Sequence, residues 1–239
     1  HAAQEFGEED AVRYKIKKDE VEAKSYLQLK QDSESFSCVL KALGEQGSHI
    51  AMTGMTSYSW LVTYFGTVNS GSVAVPLDVS LPAEEMCELV DRADVTVFIV
   101  DEVRKDVLAI AKQRCPKLKY LISIQQEEST DQILSLSQLL KEHAGSFEYW
   151  ANPEALCTIM FTSGTTGKSK GVMLTQRNMA ENATCLDMKI PARTVVLTVL
   201  PIHHAYCLSM DILKGLSLGS VICINDSLLR VAKNIKLFA

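Results

Sequence analysis

Several features that would each point to a particular function class are missing from this sequence. There is no basic excess: 24 Lys and Arg stand against 29 Asp and Glu, for a formal charge of -5. No basic stripe is present to neutralise phosphates along a duplex, which argues against broad nucleic-acid binding. The seven cysteines, Cys38, Cys87, Cys115, Cys157, Cys185, Cys207 and Cys223, include no C-x-x-C pair and leave an odd total. That pattern speaks against a disulfide framework or a zinc site and for reduced thiols in the cytoplasm. No run of about 18 apolar residues occurs, so stable membrane insertion is not expected. Residues 1–10 are acidic and lack the apolar centre of a signal peptide. Internal repeats and low-complexity segments are absent as well.

What is present is an ordinary globular composition, 47% hydrophobic and 22% charged over 239 residues, enough to bury a substantial core. Residues 1–10 read as a disordered leader. Val12, Tyr14 and Ile16 alternate with polar residues, and Val21 and Ala23 resume the alternation after a polar turn, which predicts a hairpin. A helix is expected from Ser33, with Phe36, Val39, Leu40 and Leu43 on one face and Gly44 as its stop. Then helices and short apolar strands alternate. Strands are predicted at 49–52, 73–77, 95–100 and 118–124, with helices at 56–68, near 103–114 and near 132–143. Ser80 before Pro82 reads as the N-cap of a further helix, with Glu84 and Glu85 suiting its positive end and Met86, Leu89, Val90 and Ala93 forming one stripe. Near-continuously apolar strands separated by helices predict an α/β fold with mostly parallel sheets covered by helices on both faces. Periodicity lapses around 145–153, which divides the chain into a first α/β subdomain at 11–150 and the start of a second at 151–239. The second shows a helix at 176–188, a strand at 195–200, a helix at 208–218, a strand at 221–224 and a final helix at 228–238.

One stretch carries most of the chemistry: Phe161-Thr162-Ser163-Gly164-Thr165-Thr166-Gly167-Lys168-Ser169-Lys170-Gly171. It lies between two apolar runs and reads as a loop joining two buried strands. Glycines let successive N–H groups turn inward, hydroxyls donate further hydrogen bonds, and the lysines bring positive charge, so the loop is suited to an anion such as phosphate. A P-loop of the GxxxxGK[ST] type does not fit. Thr162 occupies the place of its first glycine, Gly164 is too close to the second, and the segment after Lys168 reads as a strand rather than a helix.

The same stretch closely resembles the signature loop of the adenylate-forming, AMP-binding superfamily, which includes acyl-CoA synthetases, luciferases and peptide-synthetase adenylation domains. Gly71-Ser72-Val73-Ala74-Val75-Pro76-Leu77-Asp78 resembles a second core motif of that family. Leu200-Pro201-Ile202-His203-His204 resembles its Pro-x-x-His segment, and Ser25-Tyr26-Leu27-Gln28-Leu29 is similar to a weak first motif. The resemblance covers about the whole chain after the leader. The His-His doublet, with Asn225-Asp226-Ser227 and the Lys-Leu-Phe ending, is most similar to long-chain fatty acid–CoA ligases.

The resemblance implies a partial N-terminal domain of an adenylate-forming enzyme and a two-step reaction. A carboxylate, here a fatty acid, attacks the α-phosphorus of ATP to give acyl-adenylate and pyrophosphate, and coenzyme A then displaces AMP. Thr162, Ser163, Gly164, Thr165, Thr166 and Gly167 would grip the β- and γ-phosphates, with a hydroxyl near Mg²⁺. Lys170 would offset charge on the leaving pyrophosphate, and His204 would stand between the phosphates and the carboxylate pocket, with His203 beside it. Ser169 replaces the family's usual proline, and Lys168 falls at a variable place. The family's adenine, ribose, hinge and C-terminal lysine segments follow the histidine motif and have no counterpart in this sequence, so this stretch alone is expected to be inactive. Alternatives are an adenylation module of peptide-synthetase or aryl-acid type and a non-catalytic nucleotide-binding protein. His49 and His143 read as structural or solvated, Met52, Met55, Met160, Trp60 and Tyr64 as core, and Pro76 with Asp78 as architecture.

Overall fold

The computed structural model describes residues 1–149, 151–162, 169–185 and 189–238. Its strands are β1 (Asp10–Lys17), β2 (Glu20–Ser25), β3 (His49–Thr53), β4 (Val73–Leu77), β5 (Val95–Val100), β6 (Tyr120–Ser123), β7 (Leu134–Ser135), β8 (Leu156–Thr162), β9 (Lys170–Thr175), β10 (Val195–Thr198) and β11 (Val221–Ile224). The principal helices are α1 (Ala2–Phe6), α2 (Tyr26–Ala42), α3 (Tyr58–Asn69), α4 (Ala83–Arg92), α5 (Lys105–Arg114), α6 (Leu136–Glu142) and α7 (Gln176–Thr184). A π-helical segment, Cys207–Lys214, and a last helix, Val231–Phe238, follow.

Two sheets result. The larger has the order β7-β6-β5-β3-β4-β8-β9, parallel throughout except for the antiparallel β8–β9 pair. The smaller has the order β10-β11-β1-β2, of which only β1–β2 is antiparallel. The α/β class with mostly parallel sheets is therefore the observed one.

The chain forms two compact units, but the division is not at 145–153. One unit comprises 1–31, 56–58 and 178–239, and the other 32–55 and 59–177. The lapse in periodicity is only a connection inside one sheet, because β8 pairs with β4 through Ala74 and Thr158. The subdomain limits at 11–150 and 151–239 are corrected accordingly. Backbone pairing between distant segments outweighs local composition here.

The first unit also corrects the disordered leader. Residues 2–6 form α1, whose Phe6 is buried and stacks at a tilt on Tyr26, with ring centroids 5.1 Å apart. The backbone N–H groups of Tyr26 and Leu27 donate to the carbonyls of Glu9 and Gly7. A single aromatic in an acidic stretch is enough to dock it. Gly219, at φ +71°, is needed at this place: a Cβ there would come within 2.6 Å of the Phe6 ring. The hairpin β1–β2 forms as expected, and β1 also pairs in parallel with β11 through Val12 and Ile222. Helix α2 begins at Tyr26 rather than Ser33, because Ser25 and Gln28 make a reciprocal cap: the Ser25 N–H donates to Gln28 Oε1 at 2.9 Å and the Gln28 N–H to Ser25 Oγ at 3.2 Å.

In the second unit β4 is buried at every residue, and β3 and β5 at all but one. Phe98, Ile99, Val75 and Leu121 are among the buried apolar residues of this sheet. Ser80 does not cap α4. Its hydroxyl and N–H both donate to Asp78 Oδ1, at 2.8 Å each, and Pro82 takes the N-cap position without a side-chain bond. That turn bears out the architectural reading of Asp78. Tyr64 and Trp60 stack at 5.5 Å in the core, and the Tyr64 hydroxyl is 3.0 Å from Thr158 Oγ1. Among the described residues no helix is long and apolar enough to cross a membrane.

Candidate functional site

Strand β8 enters the sheet buried and leaves it exposed. Cys157, Thr158, Ile159 and Met160 are buried, Phe161 is half-buried, and Thr162 is open to solvent. Strand β9 returns antiparallel along it, exposed from Lys170 to Met173. The register sets Thr162 against Lys170 and Phe161 against Gly171. Directly opposed residues in an antiparallel pair project from the same face, so a hydroxyl and an ammonium stand together at the mouth of this hairpin. Gly171 keeps the return strand close: a Cβ there would sit 3.2 Å from Ile159 Cγ2 and 3.4 Å from Phe161 Cε1.

Ser163, Gly164, Thr165, Thr166 and Gly167 lie outside the described residues, as does Lys168. Thr162 and Lys170 are thus the two described members of the expected phosphate grip, and the structure brings them together. Both are exposed, as a hydroxyl donor and a cation for an anionic ligand must be. Next to them stands a residue that the sequence reading did not single out. Arg92, in the last turn of α4, donates from Nη2 to the Ser169 carbonyl at 2.9 Å, and its guanidinium lies 5.9 Å from the centre of the Phe161 ring. The signal available in the sequence was weak: a basic residue at a helix C-terminus is explained well enough by the helix dipole.

His204 belongs to the other compact unit. The buried Ile202 anchors its segment. The His204 N–H closes a turn on the Pro201 carbonyl at 3.1 Å, and the His204 carbonyl accepts the Leu208 N–H at 3.1 Å, leading into the π-helical segment. The His204 ring is exposed and lies 4.4 Å from that of the half-buried His203, at 45°. The expected helix at 208–218 is this π-helical stretch followed by a short α-turn, Gly215–Ser217. Such wide turns recur where side chains must be re-aimed.

The segment's other ionisable groups are set by burial. Burial raises the Asp211 carboxyl above the usual carboxylate range, opposed by a hydrogen bond with Cys207. It also pushes the Cys207 thiol up to about 12, with the Asp211 charge adding to the effect. A thiol so placed stays protonated at neutral pH and is a poor nucleophile. Nor does Cys223, the other buried cysteine described in this unit, offer a better one, since burial pushes its thiol up to about 11.

Comparison with known proteins gives a consistent outcome. The profile of the AMP-binding enzyme family matches residues 1–237. Long-chain-fatty-acid–CoA ligase ACSBG1 of Mus musculus is 26% identical over 244 residues, covering 94% of this chain and 33% of that protein. The D-alanine–D-alanyl carrier protein ligase of Listeria monocytogenes is 33% identical over 160 residues, covering 65% of this chain and 28% of that protein. Among solved structures, the anthranilate CoA ligase AuaEII in complex with anthranoyl-AMP superposes with a TM-score of 0.86 at 17% identity, over 98% of this chain and 46% of that one. At that identity the likeness shows the fold alone. The chain spans about a third of the length of the curated relatives it matches.

Proposed function

This chain belongs to the AMP-binding enzyme family, and from that premise we propose that the whole protein is an ATP-dependent ligase that activates a carboxylic acid as its acyl-adenylate and passes the acyl group to coenzyme A. The observation that carries this reading is the pairing of Thr162 with Lys170 at the mouth of the β8–β9 hairpin. Adenylation asks little of a protein nucleophile. The substrate carboxylate oxygen bonds to the α-phosphorus, the bond from that phosphorus to the bridging oxygen breaks, and the electron pair leaves on pyrophosphate. The protein contributes position and charge.

In this proposal the Thr162 hydroxyl donates to a phosphate oxygen of the β,γ end, together with Ser163, Gly164, Thr165, Thr166 and Gly167. The Lys170 ammonium neutralises charge that grows on pyrophosphate as it departs. Removing one such preorganised partner from the transition state costs roughly 10²- to 10³-fold in rate. From the motif resemblance, His204 would serve as a hydrogen-bond donor to the reacting carboxylate, with the His203 ring 4.4 Å from its own. A bound Mg²⁺ would supply further neutralisation of the phosphates, and the loop's hydroxyl oxygens are the hard donors such an ion accepts.

A fatty acid is the proposed substrate, supported by the long-chain-fatty-acid–CoA ligase of Mus musculus matching 94% of this chain. A second reading changes the acceptor from coenzyme A to a carrier protein. The Listeria carrier protein ligase, at 33% identity, favours it. The deciding experiment offers the whole protein ATP, Mg²⁺ and a series of carboxylic acids, then adds coenzyme A or a phosphopantetheinyl carrier and detects the thioester by mass. Thioester on coenzyme A with a fatty acid is the expected result. Thioester only on the carrier would move the assignment to the second reading, and no AMP release with any acid would reject both.

A further inference from the structure

Arg92 touches strand β8 and the residue that leads into β9, on either side of residues 163–168, through chemically different contacts. On the β8 side the contact is with the face of Phe161, the residue before Thr162, at 5.9 Å from guanidinium carbon to ring centre. On the β9 side it is a hydrogen bond of 2.9 Å to the carbonyl of Ser169, the residue before Lys170. A guanidinium suits this task because it is planar, stacks on an aromatic face and still presents N–H groups at its edge. The helix that carries it is well anchored: Met86, Cys87, Leu89 and Val90 of α4 are buried in the apolar core of the seven-stranded sheet.

We propose that Arg92 is a positioning residue for the phosphate grip, a fixed tie from the core helix α4 to the two strand ends that set Thr162 against Lys170. The proposal rests on the adenylating reading of the hairpin. Phe161 has Gly171 as its register partner, and Ser169 immediately precedes Lys170, so the tie reaches both sides of the pair within one residue of each member. Ser169 takes part through its backbone carbonyl rather than its side chain, so the contact is independent of which residue stands at that position. Losing Arg92 would leave the sheet intact and let the spacing of Thr162 and Lys170 drift, and such a change is felt in catalysis before it is felt in folding.

The test compares wild type, Arg92→Ala and Arg92→Lys in the whole protein. Steady-state ATP–pyrophosphate exchange is measured against both MgATP and carboxylic acid, alongside thermal unfolding and limited trypsin digestion at Lys170. For Arg92→Ala the KM for MgATP is expected to rise about three- to tenfold, as for loss of a solvent-exposed charge-assisted hydrogen bond. The KM for the acid and the unfolding temperature should stay at wild-type values, and cleavage at Lys170 should be faster. Arg92→Lys, which can still reach the carbonyl but not stack in the same way, should fall between the two. Unchanged kinetics for MgATP in Arg92→Ala would overturn the proposal. So would an equal loss against both substrates accompanied by a lowered unfolding temperature, since that is the signature of a merely structural residue. Should wild type show no exchange with any acid, the adenylating reading fails, and the trypsin rates then decide the tie by themselves: equal cleavage in wild type and Arg92→Ala overturns it.

Discussion

In the seven-stranded sheet, β4 buries all its residues and β3 and β5 all but one each, whereas in the four-stranded sheet β2 buries only Ser25 and β1 only Ala11 and Val12. Charge takes a visible part in the smaller sheet's unit. Asp226 receives Lys15 Nζ at 2.8 Å and Arg230 Nη1 at 3.0 Å on one oxygen, and the buried Asn234 amide at 2.7 Å on the other. The same chain thus stabilises one sheet mainly by apolar burial and, in the other, ties the inner strand β1 to the residues that follow β11 with an ion pair reaching across 211 residues of sequence. The lesson is that the two should answer differently to core truncation, to pH and to salt.

The sharpest separation comes from truncating the large core. Phe98→Ala should destabilise the unit containing the seven-stranded sheet by about 3–5 kcal/mol, the usual result of removing a fully buried aromatic. The loss, read by urea denaturation with hydrogen exchange in β5, should be the same at pH 4 and pH 7. A strongly pH-dependent loss would break the contrast.

Next in size is the docking of α1. Gly219→Ala puts a methyl group where Phe6 already lies and asks for a positive φ of 71° from a residue that disfavours it, at a cost of about 1–3 kcal/mol. Hydrogen exchange should show opening confined to α1, β1 and β11, with β3 to β5 unmoved. Asp226→Asn should follow, at about 1–2 kcal/mol, by removing the charge that holds Lys15.

Asp226 also fixes the expected pH dependence. Its carboxyl is held down at about 2, first by the hydrogen bond from Lys15 and then by that from Asn234. Unfolded, it would titrate at about 3.9. Its contribution is therefore complete above that value and disappears as pH falls through about 2. An acid titration of β1 exchange should show the loss in wild type and little of it in Asp226→Asn. The smallest effect is expected at the surface. Raising salt should leave the exposed Arg177–Glu154 pair, at 2.7 Å, without measurable consequence, within about 0.5 kcal/mol.

The same contrast explains what could be read from the sequence. The strands and helices of the larger sheet were legible because each parallel strand is a short apolar run set off by helices or polar connections; β3, β4 and β5 lie close to where the pattern puts them. The pairing of β1 with β11 was not, since Val12 and Ile222 carry no mutual signal in sequence. The boundary at 145–153 failed for a related reason: a loss of periodicity marks a connection but does not say which sheet the next strand joins. Phe6 had too little apolar company to reveal α1. In the candidate site, Thr162 and Lys170 stood out by residue type and motif spacing, and the register sets them opposite each other. Arg92 did not, because its partners are a backbone carbonyl and a ring face, neither of which leaves a mark on residue identity. Ser163, Gly164, Thr165, Thr166 and Gly167 lie outside the described residues, so their part in the grip rests on the motif.

The measurement that bears most directly on the account is ATP–pyrophosphate exchange by the whole protein with a fatty acid, compared between wild type and Lys170→Ala. The account predicts exchange in wild type and a rate lowered roughly 10²- to 10³-fold in the variant at unchanged unfolding temperature. Exchange at the wild-type rate without the Lys170 ammonium would contradict it.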